Sequence, residues 1–173
     1  MIFIRSKLQY ALLLFVFLSA CAATKSELKT VDRVDVPRYL GHWYEIAHNP
    51  MFFQRQCLSS TQADYQARAD GQVDVVNRCK TDHGWEKVHG RAFVVSGSEG
   101  ARLRVTFFWP FYGNYWIIGL GPDYRWALVG EPSRNYLWLL ARTPHLPDSD
   151  VQQALAIARS QGYDLSQLEF TPP

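Results

Sequence analysis

Downstream of Tyr39 the apolar positions recur in short runs, each broken by a turn signal within about ten residues. Runs over 42–48, 59–67, 72–79, 86–95, 101–108, 114–120, 125–130 and 135–142 read as strands. Asp70-Gly71, the stretch from Gly97 to Gly100, Gly121-Pro122-Asp123 and Glu131-Pro132-Ser133 separate neighbouring runs. In 101–107, Leu103, Val105 and Phe107 fall on one side and Arg102, Arg104 and Thr106 on the other, the pattern of a half-buried strand. Over 73–78 the alternation is weaker, with Val73 and Val75 opposing Asp74 and Val76. Eight strands with such tight connections predict an antiparallel meander. Closing it into an eight-stranded up-and-down β-barrel leaves no exposed edge, so the fold class is all-β. The period turns helical at 148–161, where Val151, Ala154, Leu155 and Ala158 form one stripe suited to the outside of the barrel. Asp148 or Ser149 can cap this helix and Gly162 can end it; a short strand over 167–171 can follow.

The first 38 residues do not share this pattern. Arg5 and Lys7 precede an apolar run from Tyr10 to Leu18, followed by Ser19, Ala20 and Cys21, the layout of a secretory signal. Even extended to Ala23 the apolar stretch is about 14 residues, short of the roughly 20 that a spanning helix needs. Leu18-Ser19-Ala20-Cys21 resembles the lipobox of bacterial lipoprotein precursors. The resemblance implies a signal peptide over 1–20, cleavage before Cys21 and acylation of that cysteine. Ala22 stands where inner-membrane lipoproteins of this type carry Asp, which implies the outer membrane, at its periplasmic face. Two or more acyl chains, at about 0.8 kcal/mol per buried methylene, anchor a protein stably. The mostly polar stretch over 21–38 then reads as a lipidated tether, and 39–173 as the barrel domain.

Composition narrows the function classes. Of 173 residues, 47% are hydrophobic and 20% charged, enough for a packed core and unlike a disordered chain. Removing residues 1–20 takes away Arg5 and Lys7, so that 16 of the 18 basic residues remain against 16 acidic ones. The mature chain has no basic field for nucleic acid, and its ligand binding does not depend on a global charge.

Three ordered blocks carry a family resemblance. Tyr39-Leu40-Gly41-His42-Trp43-Tyr44-Glu45-Ile46-Ala47 resembles the Gly-x-Trp signature of the lipocalins. Pro122-Asp123-Tyr124-Arg125-Trp126-Ala127-Leu128-Val129 is similar to the second lipocalin block, with Pro122 where Thr is usual. Tyr136-Leu137-Trp138-Leu139-Leu140-Ala141-Arg142-Thr143-Pro144 is similar to the third. A fourth stretch, Phe107-Phe108-Trp109-Pro110-Phe111-Tyr112-Gly113-Asn114-Tyr115, resembles the bacterial outer-membrane subgroup. The resemblance implies a barrel with one open and one closed end, Gly41 and Trp43 at the closed base and Arg142 packed across Trp43. A guanidinium over an indole face contributes roughly 0.5–2 kcal/mol. It also implies a fatty acid or lysophospholipid as ligand.

An eight-stranded barrel just holds one small ligand. If the first strand starts at the base, the mouth receives loops 49–58, 80–85, 108–113 and 131–134. Two of these carry Phe52, Phe53, Trp109 and Phe111. Such residues either fold inward and plug the barrel or form an apolar rim for lipid chains, a membrane surface or a second copy in a homodimer. Motif position nominates Trp138 and Tyr112 as ligand-lining residues. Alternation adds Tyr65, Phe93, Phe107, Tyr115 and Tyr136, for which ordinary wall packing is the alternative.

With Cys21 acylated, Cys57 and Cys79 remain, an even pair that suggests a disulfide in an exported protein. A tight turn at Asp70-Gly71 would set Cys79 against Gln62, so the bridge requires Cys57 to fold back or the hairpin to be offset; two free thiols are the alternative. His42, His48, His83, His89 and His145 are scattered without metal-ligand spacing, and nothing in the sequence asks for a cofactor. Glu45 follows Trp43 by two and can share its inward face, paired with an Arg or a Tyr hydroxyl. No set of nucleophile, base and oxyanion donors assembles, so the chain reads as a binding protein and not an enzyme. The competing reading is an envelope docking lipoprotein with a plugged barrel.

Overall fold

The computed structural model describes residues 26–173; the signal segment and Cys21 lie outside the described residues. A short helix α1 (Val36–Tyr39) leads into strands β1 (Gly41–His48), β2 (Ser59–Ala67), β3 (Val73–Thr81), β4 (Gly84–Val94), β5 (Arg102–Phe108), β6 (Phe111–Leu120), β7 (Trp126–Gly130) and β8 (Leu137–Ala141). Helix α2 (Asp148–Ser160) and strand β9 (Glu169–Phe170) follow. Each strand from β1 to β8 pairs antiparallel with the next, and β8 pairs back onto β1, closing an eight-stranded barrel. β9 pairs with β1 at Ala47 and His48, beyond the Gly41–Tyr44 stretch that β2 covers. The Ser60 N–H donates to the Pro172 carbonyl next to it, so the chain's end fills the gap where β2 leaves β1.

The wall is buried on two faces where α2 covers it. On β7, Ala127 and Val129 belong to the interior cluster, while Trp126 and Leu128 pack outward beneath α2. That explains why β7 reads as an unbroken apolar run rather than an alternating one. The stripe Val151, Ala154, Leu155 and Ala158 is buried against this outer face, as its spacing predicts. The expected helix cap differs. Pro147 occupies the N-cap without a side-chain bond, and Asp148 and Asp150 lie inside the first turn. Asp150 is instead buried and accepts from Arg125 at 2.5 Å, placing a carboxylate at the positive end of the helix.

The segment read as a tether is docked from Leu28 onward. Leu28 is buried in the outer cluster and Val34 in the inner one. The Val31 N–H donates to Ile117 and the Val34 N–H to Glu99, so this segment pairs across the barrel's lower end. Polar composition misled here because three spaced apolar residues suffice to anchor a strap whose other side chains face water. Gly100 makes the approach feasible: a Cβ there would lie 2.4 Å from the Val34 carbonyl oxygen.

Candidate ligand-binding site

The closed end is built around Trp43. Gly41 adopts φ +94°, a left-handed turn that redirects the chain from α1 into β1 and aims Trp43 inward. Trp43 is fully buried and its indole N–H donates to the Tyr39 carbonyl at 2.8 Å. Arg142 covers the indole from below, its Cζ 3.7 Å from the ring centroid. Its guanidinium donates to the carbonyls of His42 (2.9 Å), Arg38 (2.7 Å) and Tyr39 (3.2 Å).

Above this base the barrel encloses a cavity of about 940 Å³. Its size falls in the range of small-molecule sites. Tyr39, Tyr65 and Tyr115 line its floor, and Leu103, Val105 and Leu140 its walls. Of the residues nominated from sequence, Trp138, Tyr112, Tyr115, Phe107, Tyr65 and Tyr136 line the cavity. Phe93 does not. Its neighbour Ala92 takes the inward position on β4, so strand parity sends Phe93 to the outer face. It meets edge-on the ring of Tyr112, 5.6 Å between centroids, so Tyr112 borders the cavity only at the mouth while its ring packs with Phe93 and Arg104.

The mouth aromatics stand out rather than plugging the barrel. Phe52 is 69% exposed, Trp109 81% and Phe111 77%, with Phe53 and Phe108 exposed beside them. A ladder of rings leads inward: Phe52 against Phe53 at 5.3 Å, Phe53 against Tyr136 at 5.6 Å, Tyr136 stacked on Trp138 at 6.0 Å. Cys57 and Cys79 form a disulfide at this end, Cα atoms 5.4 Å apart. The register problem is solved by a slip between Ser59 and Gln62, where Ser60 turns to φ +55°.

Sequence reasoning missed one lining residue and misassigned the partners of another. Tyr39, four residues before Trp43, contributes a ring to the floor and packs on Trp43 at 4.9 Å; its place at the head of the Gly-x-Trp block was the available signal. Glu45 is buried beside the cavity and pairs with neither Arg nor Tyr. Its carboxylate accepts from Gln54 Nε2 at 2.8 Å, Thr171 Oγ1 at 2.6 Å and His48 Nδ1 at 3.0 Å. Burial opposes a charge on His48, but the hydrogen bond and charge of Glu45, with the charge of Glu169, prevail and raise its pKa.

Comparison with known proteins gives consistent matches. A family model described as a lipocalin-like domain matches residues 34–173. The chain is 44% identical over 138 residues to the outer membrane lipoprotein Blc of Escherichia coli strain K12, covering 79% of this chain and 77% of the relative. It is 36% identical over 156 residues to temperature-induced lipocalin-1 of Arabidopsis thaliana, covering 86% and 84%. Among solved structures, insecticyanin from the tobacco hornworm Manduca sexta superposes with a TM-score of 0.69 at 20% identity, covering 87% of this chain and 86% of that one.

Proposed function

This chain belongs to the lipocalin-like family, and from that premise we propose that it is a lipid carrier of the outer membrane. It holds one fatty acid or lysophospholipid with the hydrocarbon chain in the barrel and the head group at the mouth. The observation that carries the reading is the 940 Å³ cavity, apolar along its walls and open through an aromatic mouth. A chain of about 16 methylenes gains roughly 13 kcal/mol on burial, against about 4–15 kcal/mol for association and ordering. That leaves room for micromolar affinity.

The relatives named as outer membrane lipoproteins support the location, and the lipobox supports an anchor through acylated Cys21. Tethered at the periplasmic face, the protein takes lipid from the membrane through its rim of Phe52, Phe53, Trp109 and Phe111. It serves storage or transport in envelope maintenance. The rim also suits a second copy, mouth to mouth. Lipocalins are binding proteins, and this one returns its lipid unaltered.

The test is to extract the purified mature protein with organic solvent and identify the lipid by mass spectrometry. A stoichiometric fatty acid or lysophospholipid is expected. An empty barrel that also rejects added long-chain lipid overturns the reading in favour of a docking role. A lipid that is chemically changed with time marks an enzyme instead.

A further inference from the structure

Three phenol hydroxyls meet at the closed end of the cavity. The oxygens of Tyr39 and Tyr115 are 2.7 Å apart, and those of Tyr65 and Tyr115 are 3.1 Å apart. Either partner can donate in each contact, but the proton count is fixed. Three hydroxyls carry three protons and two contacts use two. In every arrangement one O–H is left without a protein acceptor among the described residues. All three rings line the cavity. A buried donor without a partner is expensive, so the floor is poised to receive an acceptor atom from whatever fills the barrel.

The surroundings decide what kind of acceptor. An anion would have to shed its hydration and find a counter-charge. Arg142 lies behind Trp43, does not line the cavity, and directs its N–H groups to the backbone carbonyls of Arg38, Tyr39 and His42. Glu45, a carboxylate, does line the cavity. Two cations do line the cavity, Arg78 and Lys87, but they lie opposite each other on β3 and β4, three residues mouthward of the Val75 that pairs with Tyr65, so the floor offers a hydrogen bond without a cation in contact. Burial keeps the three phenols protonated, with Tyr65 pushed up to about 12 and Tyr39 and Tyr115 also raised.

We infer that the barrel selects chains carrying a neutral oxygen — a hydroxyl, carbonyl or ether — at the end opposite their charged head, seated on the hydroxyls of Tyr39, Tyr65 and Tyr115. This rests on the carrier reading above and narrows it. Among chains of equal length and head group, one oxygenated near its inner end is preferred to one ending in hydrocarbon.

Hexadecanoic acid and 16-hydroxyhexadecanoic acid share head and length and differ by that one oxygen. A series of such pairs from 12 to 18 carbons finds the length at which the oxygen reaches the floor. The decisive variant is Tyr39→Phe/Tyr65→Phe/Tyr115→Phe, which removes all three hydroxyls, keeps the rings and leaves no abandoned partner. Removing Tyr115 alone leaves two unpaired hydroxyls, so Tyr115→Phe is expected to keep the preference. At the matching length the mature protein is expected to bind the hydroxy acid more tightly than the unsubstituted acid of the same length. The triple variant is expected to weaken the hydroxy acid roughly 3- to 10-fold relative to the unsubstituted acid. An equal ratio of the two affinities in wild type and triple variant overturns the inference, with circular dichroism verifying the fold. Tighter binding of hexadecanedioic acid than of the hydroxy acid overturns the neutral assignment. A wild type that binds neither hexadecanoic acid nor its derivatives overturns the carrier reading itself, a separate and recognisable result.

Discussion

Arg142 lies 3.7 Å from the centroid of the Trp43 ring and bonds the carbonyls of Arg38, Tyr39 and His42. One side chain from the end of the barrel thereby closes its beginning. Losing it removes a cation–π contact and three charge-assisted hydrogen bonds, and abandons carbonyls at the base. Arg142→Ala is expected to destabilise by about 3 kcal/mol, and Arg142→Lys to recover only part, because a point charge does not reproduce the planar fork. Urea denaturation of the two variants checks the order. Equal stability of Lys and Arg at this position would mean that charge alone matters.

The disulfide closes the first mouth loop against β3 over a separation of 22 residues. Loop-closure entropy at that length is worth about 3 kcal/mol. Cys57→Ser/Cys79→Ser is expected to lower the denaturation midpoint accordingly, and reductant should shift the wild type to the same value. If reductant has no effect on the wild type, the bridge does not contribute to stability.

Much of this fold was legible because it obeys simple periods. The strand faces follow the alternation and the helix stripe follows the 3.6 repeat, while the ends follow less closely: β6 begins at Phe111 rather than at 114 and β4 at Gly84 rather than at 86. Trp43 and Arg142 were found through a motif whose physical content is a closed base. Parity limited the ligand wall: Phe93 sits one residue from Ala92, and single-sequence boundaries do not fix which of two neighbours faces inward. The docked strap failed for a different reason. Leu28, Val31 and Val34 are three apolar residues in a polar stretch, and their partners Ile117 and Glu99 are remote in sequence. Glu45 was visible as an acid near Trp43, but its partners Gln54 and Thr171 arrive from a loop and from the far end of the chain.

The exposed rim should act on uptake and leave the fold alone. Phe52, Trp109 and Phe111 are each more than two-thirds in water. Their replacement by Ser is therefore expected to change stability by under about 0.5 kcal/mol. Transfer of a fluorescent fatty acid from vesicles should slow at least about 10-fold in the triple Ser variant, since even one lost ring forfeits about 1.5–3 kcal/mol of apolar burial at the membrane contact and about 1.4 kcal/mol is tenfold. Unchanged transfer with an intact fold would remove the rim from the mechanism.

His48 links the mouth to pH. Its folded pKa is raised above about 6.5, chiefly through Glu45 acting against burial. The stabilisation is therefore fully present below the unfolded value and is lost as pH rises through the folded one. Stability is expected to fall on going from mildly acidic to mildly alkaline solution, by at most about 1.4 kcal/mol per pH unit for one proton. Glu45→Gln should lower the His48 midpoint in an NMR titration and flatten that slope. A midpoint that stays put in this variant would assign the shift to other groups.

The tyrosines at the floor should resist alkali. Burial raises Tyr39, Tyr65 and Tyr115, and also Tyr163, which donates to the Glu131 carbonyl under α2. Tyr65 and Tyr163 are each pushed up to about 12. The unfolded chain ionises them near 10. The stabilisation is thus complete below about pH 10 and is lost as pH rises through the folded values. In a titration followed at the phenolate absorbance, a block of tyrosines is expected to ionise only together with loss of the far-ultraviolet strand signal. The triple Phe variant should lose that late block except for Tyr163, and its stability should decline less between about pH 10 and 12. Early, independent ionisation of these groups would mean that water reaches the floor freely. A donor already solvated there would have little to gain from a ligand oxygen, so the same titration bears on the selectivity inferred for the barrel.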